Sequence, residues 1–439
     1  MSAAPAQSPR AVRLAARLAA TAAHLSGVVL PPSGEWLRRA REAAMGRLRA
    51  QGLPEKRDEY WRYTDPARLV SGVPQPAEVL ANSDESPEFG AIDRLRLVFV
   101  DGVFDAAQSD ALGGEGIEIT RLAEAGAKDL HWAQELYGTL EALGQSPVAR
   151  PLAALNTATA TDGVLIRVTG AVKRPVSLVY LRRRPEAEMS LHHCLKLEPG
   201  ATMTLLENGA GAARFSVVIE ADLADGATLH HVRAQGRDAQ RVGSTHLFAR
   251  LGARANLKSF TLSADGALLR NEAMVWLNGE GGSAHLAGAA MGEGAFLHDD
   301  TVFVTHAAPG CESRQVFKKV LRGGAVGVFQ GKILVQRPAQ LTDGYQISQS
   351  LLMDERSQFL AKPELEIYAD DVKCSHGSTS GEIDPGHLFY LRSRGISEAE
   401  ARRLLVLSFM AQALDEIARQ DLADDMRDRL SGWLSRHSA

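Results

Sequence analysis

From Pro151 onward the chain becomes a run of short apolar segments that share one punctuation. Stretches such as GVLIRVTG, VSLVYL, ATMTLLENG, FSVVIEADL and DDTVFVTH are rich in Val, Ile, Leu, Thr and Phe and are separated by glycine. A Gly-Ala pair stands at 200–201, 226–227 and 252–253, a spacing of 26 residues each time, with looser echoes at Gly282-Ser283 and Gly310-Cys311. A glycine at a fixed interval suits a tight turn that needs positive φ once per unit. One unit cannot bury its apolar face alone, but stacked units can. The spacing therefore predicts a mainly β chain with a β-solenoid over residues 151–385. The alternative is a β-sandwich with glycine turns. No helical pattern of useful length is expected between Pro151 and about residue 396.

A solenoid also accounts for the length, since 439 residues exceed one ordinary compact core. The flanks read differently. Residues 1–150 are expected to be mainly helical with a short strand pair. Helices are expected over 10–25, 34–51 and 121–143. The second has Ser33 as its cap, Trp36, Leu37, Ala40, Ala44 and Leu48 at helical spacing, and Gly52 and Pro54 as its end. LRLVFVDGVF (95–104) reads as two strands around Asp101-Gly102. DEYWRYTD (58–65) is an aromatic cluster, and residues 71–92 read as a connector. The arginine- and alanine-rich first 30 residues imitate a transit peptide, but an amphipathic first helix is the expectation.

Residues 386–439 read as helical. Ser397 and Glu400 form a capping box. Leu404, Leu407, Met410, Leu414 and Ile417 form one apolar stripe, and a second helix over 421–435 carries Leu422, Met426, Leu430, Trp433 and Leu434. These helices would cap the solenoid end, where strand edges lack partners, or present a face to another protein.

Several functions are excluded. With 49 Lys+Arg against 53 Asp+Glu there is no nucleic-acid footprint. No apolar run reaches the roughly 18–20 residues that cross a bilayer. Cys194, Cys311 and Cys374 are odd in number and widely spaced, which argues for a reducing, cytoplasmic compartment. GVFQGKILV (327–335) is not a phosphate loop, because Val326 and Ile333 stand where the pattern needs glycine and Ser/Thr. A carbohydrate-cleaving β-helix would need paired carboxylates on an exposed face. The doublet Asp299-Asp300 reads as a turn instead. The histidines at 192–193 and 230–231 fall at equivalent places near strands, and His285, His298 and His306 follow in later units. All read as structural.

One short stretch carries more chemistry, DDVKCSHGST (370–379). If it is extended, strand alternation puts Asp370, Val372, Cys374 and His376 on one face, with Cys374 and His376 about 6–7 Å apart at the backbone. Thiolate and imidazole suit iron–sulfur and zinc sites. Lys373 and a protonated His376 would favour the thiolate. The alternatives are a buried free cysteine beside a satisfied histidine, or a nucleophile with its base, which usually comes from a different element. No second Cys-x-x-Cys or His-x-x-x-His completes a zinc set.

DEYWRYTD (58–65), LNTATATDG (155–163), CESRQVFKKVLRGGAVGVFQGKILV (311–335), KPELEIYADDVKCSHGSTSG (362–381) and LFYLRSRGIS (388–397) resemble the SufB/SufD family of iron–sulfur cluster assembly proteins. The Lys-Cys-Ser-His form is most like the SufD branch. The resemblance implies a right-handed parallel β-helix between helical regions. It also implies a non-catalytic subunit that pairs with a SufB paralogue and docks the SufC ATPase through its C-terminal helices, with a homodimer as a further state. His376 as ligand and Cys374 as supporting ligand would share a transient iron–sulfur cluster with SufB at the subunit interface, with no cofactor held tightly by the isolated chain. Leu404, Leu407, Met410 and Leu414 are the expected ATPase-docking residues. Outside the family, a β-helix enzyme acting on polysaccharide and a metal-free homodimeric interaction protein remain the alternatives.

Overall fold

The computed structural model describes residues 8–78, 87–209, 211–236, 238 and 240–437, so residues 1–7 and the middle of the expected connector lie outside it. The N-terminal region contains α1 (Pro9–His24), α2 (Glu35–Gln51), β1 (Leu95–Val100), β2 (Val103–Phe104), β3 (Ile117–Arg121), α3 (Leu122–Ala125) and α4 (Thr139–Leu143). α5 (Pro151–Thr159) leads into the solenoid. Its first strands are β4 (Val164–Val168), β5 (Val176–Leu181), β6 (Glu188–Leu197), β7 (Thr202–Asn208), β8 (Arg214–Leu223), β9 (Thr228–Gln235), β10 (Val242–Leu251) and β11 (Asn256–Ala264). They are followed by β12 (Leu268–Leu277), β13 (Ser283–Glu293), β14 (Leu297–His306), β15 (Glu312–Arg322), β16 (Val326–Val335), β17 (Thr342–Leu352), β18 (Gln358–Ile367) and β19 (Val372–Gly381). The chain ends in α6 (Pro385–Arg392), α7 (Glu398–Leu414) and α8 (Gln420–Arg436).

The solenoid is formed by alternation between two sheets. Odd-numbered strands stack as β19-β17-β15-β13-β11-β9-β7-β5-β1-β2, and even-numbered strands as β18-β16-β14-β12-β10-β8-β6-β4-β3. Pairing is parallel throughout except at β1–β2 and β3–β4. The expected strand pair at 95–104 is this β1–β2 hairpin, turned by Asp101 (φ 49°) and Gly102 (φ 81°).

The glycine repeat marks the coil turn, with a shift in register. The left-handed position two residues before the registered residues Thr202, Thr228, Asn256, Ser283, Glu312 and Asp343 of β7, β9, β11, β13, β15 and β17 is Gly200, Gly226, Arg254, Gly281, Gly310 and Leu341, with φ of 72°, 70°, 54°, 67°, 66° and 60°. The expected turn glycines Gly252 and Gly282 are therefore displaced. Registered partners explain why. Thr202 pairs with Thr228, then Asn256, Ser283, Glu312 and Asp343, so the repeat varies from 26 to 31 residues. Gly252 is kept for a different reason, because a Cβ there would lie 2.5 Å from Asp225 Oδ1.

Two helical expectations fail. Residues 151–159 are a helix, buried on almost every side between α2 and the outer face of β6 and β8, so they show no amphipathic period. Residues 121–143 form only α3, a 3-10 turn at Trp132–Glu135, and α4. Gly126 fits against Leu37, where a Cβ would lie 2.4 Å from its Cδ2, and Gly138 turns left-handed at φ 73°. The cap of α2 is Gly34 and not Ser33, because Gly34 N–H is bound to Gly126 O at 2.6 Å. Ser397 caps α7 as expected, accepting from Glu400 N–H at 3.3 Å.

Each sheet is covered on its outer face. α7 and α8 lie over the odd-strand sheet, with Met410, Leu414, Met426 and Trp433 packed on Val232, Phe260 and Val316. They flank the solenoid and do not cap its end. Trp433 Nε1 donates to Asp265 at 2.8 Å. The N-terminal region covers the even-strand sheet. Here Tyr60 stacks edge-on to Phe303 at 5.0 Å and Gln330 Nε2 donates to Tyr60 O at 3.1 Å. Trp61 lies 4.1 Å beneath the Arg270 guanidinium. Arg270 pairs with Asp299 and, at 2.8 Å, with Glu272, which also meets Arg150 at 3.1 Å. Burial alone would raise the Glu272 carboxyl, but Arg270, His246 and Arg150 outweigh it and hold it at about 2.

The cluster predicts that Arg270→Met, which leaves Asp299 and Glu272 short of a buried counter-charge, costs about 3–5 kcal/mol, read from the urea midpoint. A pH effect follows as well. Burial holds His193 and His298 down to about 3, and His246 and His306 down to about 4. The unfolded chain takes up these protons near pH 6.5 and the folded chain does not. Their stabilisation is therefore complete above about pH 6.5 and is lost progressively as pH falls toward 4 and below. Denaturation midpoints measured from pH 7.5 to 4.5 are expected to decline steadily.

Candidate functional site

The solenoid closes at one end only. β1, β2 and β3 cover the first coil, whereas β18 pairs only with β16 and β19 only with β17, and no strand lies beyond either among the described residues. The N–H and C=O groups on those outer edges have no ladder partner. β19 itself is largely exposed.

Cys374 and His376 both sit on β19, so the expected alternation holds for Val372, Cys374 and His376. Asp370 does not belong to that face, because it lies in the turn between β18 and β19. Columns of registered residues place the pair. Cys374 is registered on Gly344, and His376 on Gln346, which is registered on Gln315. Gln315 and Gln346 are fully buried, so the His376 column runs out from the interior and ends at an exposed imidazole.

Cys374 is half-buried against Ile333, Val335 and Ala339. Gly344 leaves room beneath it, since a Cβ there would make a tight contact of 3.2 Å with its Sγ. Burial pushes the Cys374 thiol up, the Gly344 N–H pulls it down in part, and Asp343 raises it further. The thiolate-favouring effect expected of Lys373 and His376 is thus overturned: in the isolated chain the sulfur is a thiol at neutral pH. A metal ion would displace that proton. Two neighbouring donors at an open end make at most half of a coordination set.

The other cysteines differ. Cys311 donates to Gly279 O at 3.2 Å and is buried. Cys194 lies with His192 and Glu220 in a trio whose ligand atoms are within 4.8 Å of one another. This trio escaped the sequence reading, because Glu220 reaches it from the next strand. Its carboxylate is already filled. It accepts from the N–H groups of Gly138, Leu140 (2.6 Å) and Glu141 (3.0 Å), and His192 Nε2 is 2.7 Å away. Burial, then Glu220, raises the Cys194 thiol well above its ordinary range. Glu220 anchors the start of α4 to the sheet.

The carboxylate doublet Asp299-Asp300 is on β14, not in a turn. Asp299 pairs with Arg270 and Asp300 with Lys319 at 2.6 Å, both out of reach of a polysaccharide. His192-His193 lie on β6 and His230-His231 on β9, in different sheets, so the two pairs are not equivalent.

The C-terminal stripe divides. Met410 and Leu414 are fully buried against the odd-strand sheet and cannot meet a partner in this conformation. Leu407 is partly buried, and Leu404 is 37% exposed. α6 has no buried residue, and its Phe389 and Tyr390 are 73% and 55% exposed. The apolar surface open to a partner therefore lies on α6 and the start of α7.

Residues 181–409 match the family described as "SUF system FeS cluster assembly, SufBD core domain", and residues 26–178 match "SufBD protein N-terminal region". The chain is 30% identical to the iron-sulfur cluster assembly protein SufD of Escherichia coli (strain K12), over 86% of this chain and 89% of that protein. A SufBD family protein of Synechocystis is 27% identical over 89% and 90% of the two chains. SufD of Bacillus subtilis is 26% identical over 61% and 63%. A parallel solenoid flanked by helices, with an open last coil bearing Cys374 and His376, thus belongs to a SufD-like member of the SufB/SufD family of iron–sulfur cluster assembly proteins.

Proposed function

We propose that this chain is a non-catalytic subunit that pairs with a SufB paralogue through its open last coil and contributes His376 and Cys374 to a nascent iron–sulfur cluster held between the two. The observation that carries this reading is the uncovered β18–β19 end. Strand edges without partners and two metal-binding side chains coincide there, in a chain of this family. Edge pairing by a second strand would satisfy the backbone and bring further ligands within reach. The cluster is cargo, assembled and then passed on. In the absence of the paralogue, a second copy of this chain is the other occupant of the edge.

The SufC ATPase is the proposed partner of α6 and the start of α7. Phe389, Tyr390 and Leu404 supply exposed apolar anchors for it, in place of Met410 and Leu414. α7 is packed on β13 and β15, so movement of the helices under ATP would act on the strands leading to the last coil. The proposed compartment is the cytoplasm, supported by three free cysteines. Among the described residues no helix is long and apolar enough to cross a membrane.

Three outcomes test the proposal. Anaerobic co-expression with the paralogue and the ATPase should yield a complex containing iron and sulfide, and His376→Ala should lose most of both. Unchanged iron and sulfide would remove the ligand role. Phe389→Asp should abolish co-purification of the ATPase while the paralogue is retained. Alkylation of Cys374 by iodoacetamide in the isolated chain should be slow at pH 7 and should accelerate at a higher pH than that of a free cysteine peptide, because burial raises the thiol.

A further inference from the structure

The aromatic motif at 58–65 reaches from the middle of the solenoid to its open end. Tyr60 touches three successive strands of the even-strand sheet. Its ring stands edge-on to Phe303 of β14 at 5.0 Å. Its carbonyl accepts from Gln330 Nε2 of β16 at 3.1 Å. Its hydroxyl donates to the Glu364 carboxylate of β18, the strand at the open edge. Lys362 of the same strand lies 4.1 Å over the Tyr60 ring and donates to Glu59 Oε1 at 2.6 Å. Burial, then Glu364, pushes the Tyr60 phenol up, so the hydroxyl keeps its proton at neutral pH.

The two ends of this contact differ in how firmly they are held. Tyr60, Trp61 and Thr64 are buried. Trp61 lies 4.1 Å beneath Arg270, Thr64 Oγ1 donates to Asp299, and Asp58 pairs with Arg17 at 2.9 Å. β18 has a ladder neighbour on one side only, and none of its ten residues is buried. Such a strand opens locally at less cost than the strands behind it. A partner that pairs with its free edge must order it first, and that ordering lowers the affinity.

We propose that Tyr60 is a positioning residue for the partner interface. Through Glu364 and Lys362 it clasps β18 to the middle coils and holds the free edge in the conformation that a partner strand pairs with. The Glu59–Lys362 ion pair closes the clasp on its exposed side. This rests on the reading of the last coil as the pairing surface, and the experiment separates the two.

Hydrogen exchange of the full-length isolated chain is followed by mass spectrometry in wild type, Tyr60→Phe, Glu364→Gln and Glu364→Leu. The affinity of each for the purified SufB paralogue is measured by titration. Tyr60→Phe keeps the ring on Phe303 and under Lys362, and it alters no surface that a partner can touch, because Tyr60 is only 5% exposed. It should leave the thermal midpoint and the exchange of β10 and β12 unchanged. It should speed exchange across 358–367 about 10-fold and weaken paralogue binding by about the same factor, the size of one lost hydrogen bond to a charged group. Glu364→Gln keeps an acceptor for the hydroxyl and should stay close to wild type in both measurements. Glu364→Leu should repeat Tyr60→Phe. Unchanged exchange across 358–367 in Tyr60→Phe would overturn the proposal, and so would faster exchange with unchanged affinity. A wild-type chain that does not bind the paralogue would instead sink the pairing reading, and the proposal with it.

Discussion

A stack of parallel strands satisfies its backbone only from within, and it has to stop somewhere. Every strand between the ends of this solenoid has neighbours on both sides, so its amides and carbonyls are paired without help from side chains. At the first coil the chain solves the problem itself with an antiparallel hairpin and an antiparallel strand. At the last coil nothing does so among the described residues. That asymmetry organises the molecule: one end is finished by its own sequence, and the other keeps its outer strand edges open among the described residues.

The flanking regions act on the faces and leave that end free. The N-terminal helices and the aromatic motif cover one sheet, held by buried ion pairs around Arg270. The C-terminal helices cover the other, held by Trp433 and its apolar neighbours. Both sheets are covered through their middle coils, whereas β18 and β19 stay partly or largely exposed. The same packing that buries Met410 and Leu414 turns Phe389 and Tyr390 outward. The surfaces available for assembly are thus those left over once each sheet has been covered.

Legibility in the sequence followed the range of the interactions. Strand alternation is a local property, so placing Cys374 and His376 on one face needed only the strand period of two. The capping of α7 by Ser397 was equally local. The turn glycines were read correctly as a repeat but were misplaced at 252 and 282, because coil length changes while the left-handed position does not, and Arg254 and Leu341 occupy it without glycine. α5 escaped because a helix buried on nearly all sides has no polar face to give it a period. The helix expected over 121–143 broke where Gly126 and Gly138 meet other elements. The Cys374 sulfur is not a thiolate as its charged neighbours suggest, because burial dominates its ionisation.

Stacked strands, helical ends and the shared face of Cys374 and His376 are legible in the order of residues, because glycine turns, apolar spacing and strand alternation act over a few residues. Which coil is left unpaired, which apolar stripe is covered and which residue is registered beneath His376 emerge only when the coils stack. Those depend on register across coils of up to 31 residues and on which helix covers which sheet. Gln346 illustrates the difference: thirty residues away from His376 in the chain, it becomes the nearest layer only when β17 and β19 pair.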